Sequence, residues 1–445
     1  MVGLAAVFVG RRRLLGLVGV CVLGLLLGWS KGSLLVSQLA GYQGLYDQKV
    51  QLQVTASEDA VYGKNGQMTF VAAKVINTET GERLPGKLGV SGTGLNAFYQ
   101  ADVLLVSGKL REGIGAYQGF MSYGQLELAE RHPSLIATLR RNFAAAMQSA
   151  LPEPVASFGM GILIGQRATL PEDVKDNLQK VGLTHIIAVS GANLTIMLDA
   201  SRRLLGKKSK RLSTLLTVLL MALFVLLTGG SASIIRAAYV SALSMAAGYY
   251  GRRARPLLLI AMVAAFTAYL NPIYIWSDAS WYLSFLAFYG VLMVSPLLQN
   301  RLPSVFGQSI ILSVALESIC AEIMSVPYIL FTFGQMSFMG LPANVLVVTL
   351  IPLAMLLGFI AGLAGMFLLP VCGWFAWPAK FLLMYMLDTA HVLASVPHIF
   401  IDHLALGLPG LILLYGVIAI LSGLLAFKDR SKSAIITDKN IHDTS

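Results

Sequence analysis

The stretch Val181–Asp199, VGLTHIIAVSGANLTIMLD, decides how the chain is read. Its run of Ile, Leu, Val and Met calls for burial, yet His185, Ser190, Asn193, Thr195 and Asp199 interrupt it, and Ser190-Gly191 falls near its middle. Hydrocarbon offers such groups no water, so they must find partners in the protein or line a wet cavity. The stretch therefore reads as a membrane span at about 185–200 that walls a polar pathway.

Working outward, the whole chain has membrane texture. Its 445 residues are 56% hydrophobic and only 12% charged, and a mean hydropathy of +0.71 lies outside the range of soluble domains. A helix needs about 20 mainly apolar residues to cross roughly 30 Å of hydrocarbon. Beyond the opening stretch such runs occur near 212–230, 233–250, 256–276, 280–299, 308–332, 339–369, 374–396 and 404–427, and another precedes it from Leu14 to about Val36, which makes ten spans. The run at 339–369 is too long for one straight span and holds Pro342, Asn344 and Pro352, so a broken or re-entrant helix is expected there.

The net charge of +11 invites a nucleic-acid reading, but its placement argues otherwise. Between Ser30 and Thr184 there are 14 basic and 13 acidic residues, so the excess lies at span ends: RRR at 11–13, SRRLLGKKSKR at 201–211, RRAR at 252–255, Arg301 and KDRSK at 428–432. That is the pattern of basic cytoplasmic loops. It puts both termini in the cytoplasm of a multi-pass membrane protein, and the loops 271–280 and 398–403 outside. Cys21, Cys320 and Cys372 lie in or beside apolar runs without metal-ligand spacing. HIFIDH at 398–403 has Phe400 where a metal motif needs its middle histidine, so no metal or other cofactor is expected.

The texture changes between Tyr42 and Tyr123. KVQLQVTAS, QMTFVAAKVI, GKLGVSG and ADVLLVSGKL alternate as strands and are separated by Gly- and Asn-rich turns, while GIGAYQGFMSYGQL reads as a turn-rich tail. A small OB-like β-barrel outside the cytoplasm is the expectation. Pro133 then opens a helix with Leu135, Ile136, Leu139, Phe143 and Met147 on one face and Arg140 and Arg141 off it. A short apolar segment at Met160–Ile164 reads as interfacial, and PEDVKDNLQKVG leads into the opening stretch. The expected division is an amino-terminal transmembrane helix at 1–36, the OB-like domain at 37–124, interfacial amphipathic helices at 125–184, a transmembrane channel domain at 185–427 and a tail at 428–445.

GLTHIIAVSGANLTIM, SIIRAAYVSALSMAAGYYGRRARPL, SWYLSFLAFYGVLM and SVPYILFTFGQMSFMGLPANVLVVTLIPLAMLLG, in that order, resemble the competence domain of ComEC proteins. ADVLLVSGKL with GIGAYQGFMSYGQL resembles that family's OB-like domain. The resemblance implies an inner-membrane channel that admits single-stranded DNA during natural transformation, working with a DNA receptor, a nuclease and a cytoplasmic helicase motor. Two departures stand out. Many members carry a His where this chain has Asn193, and many end in a metallo-β-lactamase-like domain, whereas 18 residues follow the last predicted span, so a chain without its own nuclease is expected.

A path for single-stranded DNA needs water, donors for phosphates and flat rings for bases. His185, Ser190, Asn193, Thr195, Arg236, Tyr282, Tyr289 and Asn344 are the candidate lining residues. A mid-span Arg236 is costly, and Asp199, Glu317 or Glu322 could pair with it. Asp199, Glu317, Glu322, Asp388 and His391 are candidates for bracing helices or relaying protons, since buried carboxylates repel phosphate. On a proton-coupled small-solute transporter those acids would form the site, and a third reading is a membrane scaffold subunit of a split uptake machine. Ser190 has no neighbouring motif that would make it a nucleophile.

Overall fold

The computed structural model describes residues 22–424 except 23, 38, 58–59, 63–66, 95–97, 99, 114–116, 132–134, 167–168, 188–190, 192, 195–196, 199–208, 229–231, 253–254, 300–309 and 405. The chain divides into two compact units, Met1–His132 with Ala265–Asp278, and Pro133–Ala264 with Ala279–Ser445.

The first unit is strand-rich. Strands β1 (Lys49–Ala56), β2 (Val61–Tyr62), β3 (Met68–Asn77), β4 (Arg83–Leu84), β5 (Leu88–Thr93), β6 (Val103–Glu112) and β7 (Gly119–Glu130) form one sheet. Its long strands pair in the order β1-β6-β7-β5-β3, and β3 pairs again with β1. β5 and β7 run parallel, and the other pairings are antiparallel. Alternation drives the arrangement: Leu52 and Val54 of β1 and Leu104 and Val106 of β6 are buried while their neighbours are more open, and Leu88 and Val90 of β5 are buried with them. Each such side chain contributes about 1.5–3 kcal/mol by leaving water. The four expected strands are present; the stretch expected as a turn-rich tail contains the twelve-residue β7.

Two tyrosines tie the incoming chain to this sheet. The Tyr42 hydroxyl donates to the Pro85 carbonyl at 2.9 Å, and the Tyr46 hydroxyl donates to that of Gln118 at 2.7 Å. Burial pushes the Tyr42 phenol well above its ordinary pKa, so it remains a donor through the physiological range. Tyr42→Phe is expected to cost about 1 kcal/mol, read as faster amide exchange around residues 84–88 in the intact protein. A raised folded pKa makes this contribution complete below the ordinary phenol range, with loss on further alkalinisation.

The second unit is helical: α1 (Leu135–Ala150), α2 (Val155–Ile164), α3 (Glu172–Lys180), α4 (Lys210–Leu227), α5 (Ala232–Tyr249), α6 (Pro256–Leu270, shared between units), α7 (Ala279–Tyr289), α8 (Ile310–Phe333), α9 (Gly340–Val347), α10 (Ile351–Phe367), α11 (Cys372–Ala394) and α12 (residues 408–424). Among the described residues, four stretches are long and apolar enough to cross a bilayer: Lys210–Leu227, Ala279–Gln299, Ala315–Phe333 and Gly340–Phe367. Their length and composition suit a membrane-embedded domain. The last stretch is broken as expected. α9 stops at Val347, a tight turn covers Val348–Leu350, and α10 restarts with Pro352 in its first turn, where a missing N–H costs nothing.

α2, with Val155, Phe158, Met160 and Ile162 all buried, is covered on every side, as an all-round apolar helix requires. α1 packs on α10, where a Cβ on Gly365 would stand 2.2 Å from the Ala146 carbonyl oxygen. Arg140 lies on the buried side of α1 with Phe143 and Met147, not off that face as expected for a charged residue. It sits three residues before Phe143, and its long stem packs with that face.

Candidate functional site

The approach to the opening stretch is built by α3. Glu172 and Asp173 in its first turn and Lys180 in its last suit the helix dipole. Gly182 follows with φ +74, and the chain turns through Thr184–Ile186. His185 sits in that turn, exposed, its Nδ1 3.1 Å from the Gly182 carbonyl oxygen. Ser190, Thr195 and Asp199 lie outside the described residues.

Gly191 and Asn193 are helical and buried. The Asn193 Nδ2 donates to the Ile162 carbonyl of α2 at 3.3 Å, which gives a polar group inside the apolar core a partner. A Cβ on Gly191 would stand 2.7 Å from the Cβ of Ala237 and 3.6 Å from the Phe288 ring. The glycine of the Ser190-Gly191 pair is thus where this helix crosses α5 beside α7.

Arg236, adjacent to that crossing, is 1% exposed and is the largest fully buried side chain described. Its Nη2 donates to both the carbonyl and the hydroxyl of Ser280, each at 2.9 Å, at the start of α7. One turn of ring contacts follows. Tyr282 lies 5.1 Å from Trp281 and 5.1 Å from Tyr328 of α8. Tyr289 packs with Val294, Cys320 and Met324, where the helix widens into a π-turn over Gly290–Val294. Such turns recur at functional positions.

A second polar group lies at the broken helix. Asn344 of α9 is buried, and its Nδ2 donates to the Glu322 carboxylate of α8 at 2.7 Å. The other carboxylate oxygen comes so near the first residue of α9 that a Cβ on Gly340 would stand 2.3 Å from it. A negative group at a helix start is favoured by the unpaired N–H dipoles there. Glu317 lies on the same helix, partly exposed.

The structure thus joins Asn344 to Glu322, which the sequence had assigned to separate roles. His391, by contrast, is exposed and faces Asn177 of α3 at 3.2 Å, while Asp388 opens onto a cleft with Lys380 and Trp377. Ser280, Tyr328 and Asn177 were not singled out from sequence. Their residue types are common, and only the mid-span Arg236 signalled that an acceptor such as Ser280 must exist. Chemically these groups supply fixed dipoles and one buried cation among apolar helices.

The family model described as Competence protein matches residues 162–428. ComE operon protein 3 of Bacillus subtilis (strain 168) is 26% identical over 229 residues, which cover 51% of this chain and 29% of that protein. The chain therefore matches less than a third of that relative's length. No solved structure matches it.

Proposed function

Because this chain belongs to the Competence protein family, we propose that it takes part in DNA uptake for transformation and forms the membrane passage through which a single strand enters. The observation that carries the reading is the family match over 162–428, which covers the opening stretch, Arg236 and the Glu322–Asn344 pair. Within this reading, buried Asn193 and Arg236 hold the helices that wall the passage, and the more open His185, Tyr282 and Tyr289 face the strand. Rings of this kind stack on any base, which suits transport without sequence preference.

The strand-rich first unit is proposed as an OB-like domain outside the cytoplasm that guides the strand. The pairing circuit through β1, β6, β7, β5 and β3, with β5 parallel to β7, supports that reading. Between Ser30 and His132 nine basic residues balance nine acidic ones, which implies weak, salt-sensitive DNA affinity. The ten-span topology with both termini in the cytoplasm is likewise proposed. No strand cleavage or ATP-driven pulling is assigned to the described residues; a nuclease, a receptor and a helicase motor are the proposed partners.

The test is entry of a selectable marker on added DNA. A deletion strain should yield no transformants, and the restored gene should return them, while marker delivery by electroporation stays normal. Unchanged transformation in the deletion strain would overturn the proposal.

A further inference from the structure

α4 carries an uncovered apolar stripe with cations at its head. Lys210–Leu227 is long and apolar enough to cross a bilayer, and Leu212, Leu215, Leu219, Leu223 and Leu226 are each more than 40% exposed. Their spacing of three and four residues sets them on one side of the helix. Thr217, Met221 and Phe224, on the other side, are buried in the protein. From Leu212 to Leu223 the stripe runs roughly 16 Å, about half the hydrocarbon thickness, so the acyl chains of one leaflet cover it when α4 spans the membrane. Arg211 is exposed one turn before Leu215 and heads the same side.

The end of α5 is tied to that head. The Lys210 ammonium donates to the Tyr249 carbonyl at 2.7 Å and lies 5.2 Å from the centre of the Tyr249 ring. Tyr250 meets Tyr249 edge to face at 5.5 Å and is 78% exposed. Gly251 then takes φ +69, and the chain folds back so that the Arg252 N–H donates to the Ala247 carbonyl at 2.8 Å, with Arg252 exposed. Lys210, Arg211 and Arg252 are thereby gathered at one end of the α4–α5 pair. Among the described residues no carboxylate pairs with any of them. The first turn of α4 holds no acid, although the helix dipole favours acids there over cations. Arg211 therefore does not serve the stability of its own helix.

Most occupants would meet only part of this surface. A nucleic-acid strand or an acidic protein segment would answer the cations and leave the leucines. An apolar helix of another protein would cover the leucines and leave the cations. A zwitterionic phospholipid would bring a cation of its own against the arginines. We propose that the start of α4 and the end of α5 hold an anionic phospholipid, with its phosphate at Lys210, Arg211 and Arg252 and its acyl chains along Leu215, Leu219 and Leu223. Each Lys or Arg near an anionic lipid surface contributes about fivefold in binding. Tyr250, an apolar ring with a polar tip, suits the same headgroup level. The inference rests on α4 crossing the bilayer and not on what the protein conducts.

The test is native mass spectrometry of the full chain in detergent, titrated with phosphatidylglycerol or with phosphatidylcholine of the same acyl chains. The wild type should hold one phosphatidylglycerol at least tenfold more tightly than phosphatidylcholine. Arg211→Gln with Arg252→Gln should bring the two lipids to equal affinity at an unchanged melting temperature, and either change alone, which serves should the pair unfold, should cost about fivefold. Arg211→Lys with Arg252→Lys should keep the preference, since charge is what the headgroup reads. Lys74→Gln with Arg83→Gln, which removes two cations from the strand-rich unit, should leave it unchanged. Equal affinities in the wild type, or a preference that survives loss of both Arg211 and Arg252, would overturn the proposal. So would the same loss in the Lys74 and Arg83 variant, or full displacement of phosphatidylglycerol by an equimolar single-stranded oligonucleotide or acidic peptide, which would assign the cations to a soluble polyanion.

Discussion

Gly191→Leu is expected to leave the protein unable to support transformation and to lower its thermal stability in detergent. Even a methyl group at this position would stand 2.7 Å from the Cβ of Ala237, inside van der Waals contact. Ala237 cannot turn its methyl away, since that carbon is fixed by the backbone of α5, so the helices themselves must separate. Overpacking of this kind costs about 1–3 kcal/mol for small insertions and more for larger ones. Gly191→Ala should fall in that range, and leucine, which would also meet Phe288, should exceed it. Gly248→Leu is the control, because a Cβ there meets nothing within 4 Å. Equal melting temperatures and transformation yields for Gly191→Leu and Gly248→Leu would refute the crossing.

Arg236→Lys should be nearly as damaging although it keeps the charge. The guanidinium reaches both oxygens of Ser280 at 2.9 Å from one nitrogen while 1% exposed. A lysine ammonium sits on a differently shaped stem and is more strongly hydrated, so the same site would hold a buried cation with its donors badly aimed. A loss of about 2–3 kcal/mol is expected for a poorly satisfied buried charge. Ser280→Ala alone should cost about 1 kcal/mol, because the Ser280 carbonyl remains. In a double-mutant cycle the two changes should couple: Ser280→Ala should cost less in the Arg236→Lys background than in the wild type. Strict additivity would show that the lysine still serves Ser280 or that Ser280 contributes nothing.

Both predictions concern contacts between segments far apart in the chain, and this separates what was legible from what was not. The strands at 49–56, 68–77, 88–93 and 103–112 were readable because alternation is a local property. β7 was not, since glycines at 119 and 124 read as turn signals. In the fold they lie where a Cβ on Gly119 would press on Leu110 and Leu88, and one on Gly124 on Val106. A glycine that marks a turn and one that permits close packing look identical in a sequence. Likewise Arg140 was placed off the apolar face by its charge, whereas the packing of α1 buries it.

By itself the sequence determined the membrane class, the run of apolar helices, the break between 347 and 351 and the existence of a polar stretch at 181–199. These follow from composition, periodicity and proline, which act on neighbouring residues. Only the tertiary structure decided that Gly191 meets Ala237, that Arg236 reaches Ser280 across 44 positions and that Asn344 holds Glu322 across 22. An apolar helix offers several faces of similar hydropathy to its neighbours, so hydropathy cannot choose among them. Close packing and the cost of an unmet polar group make that choice.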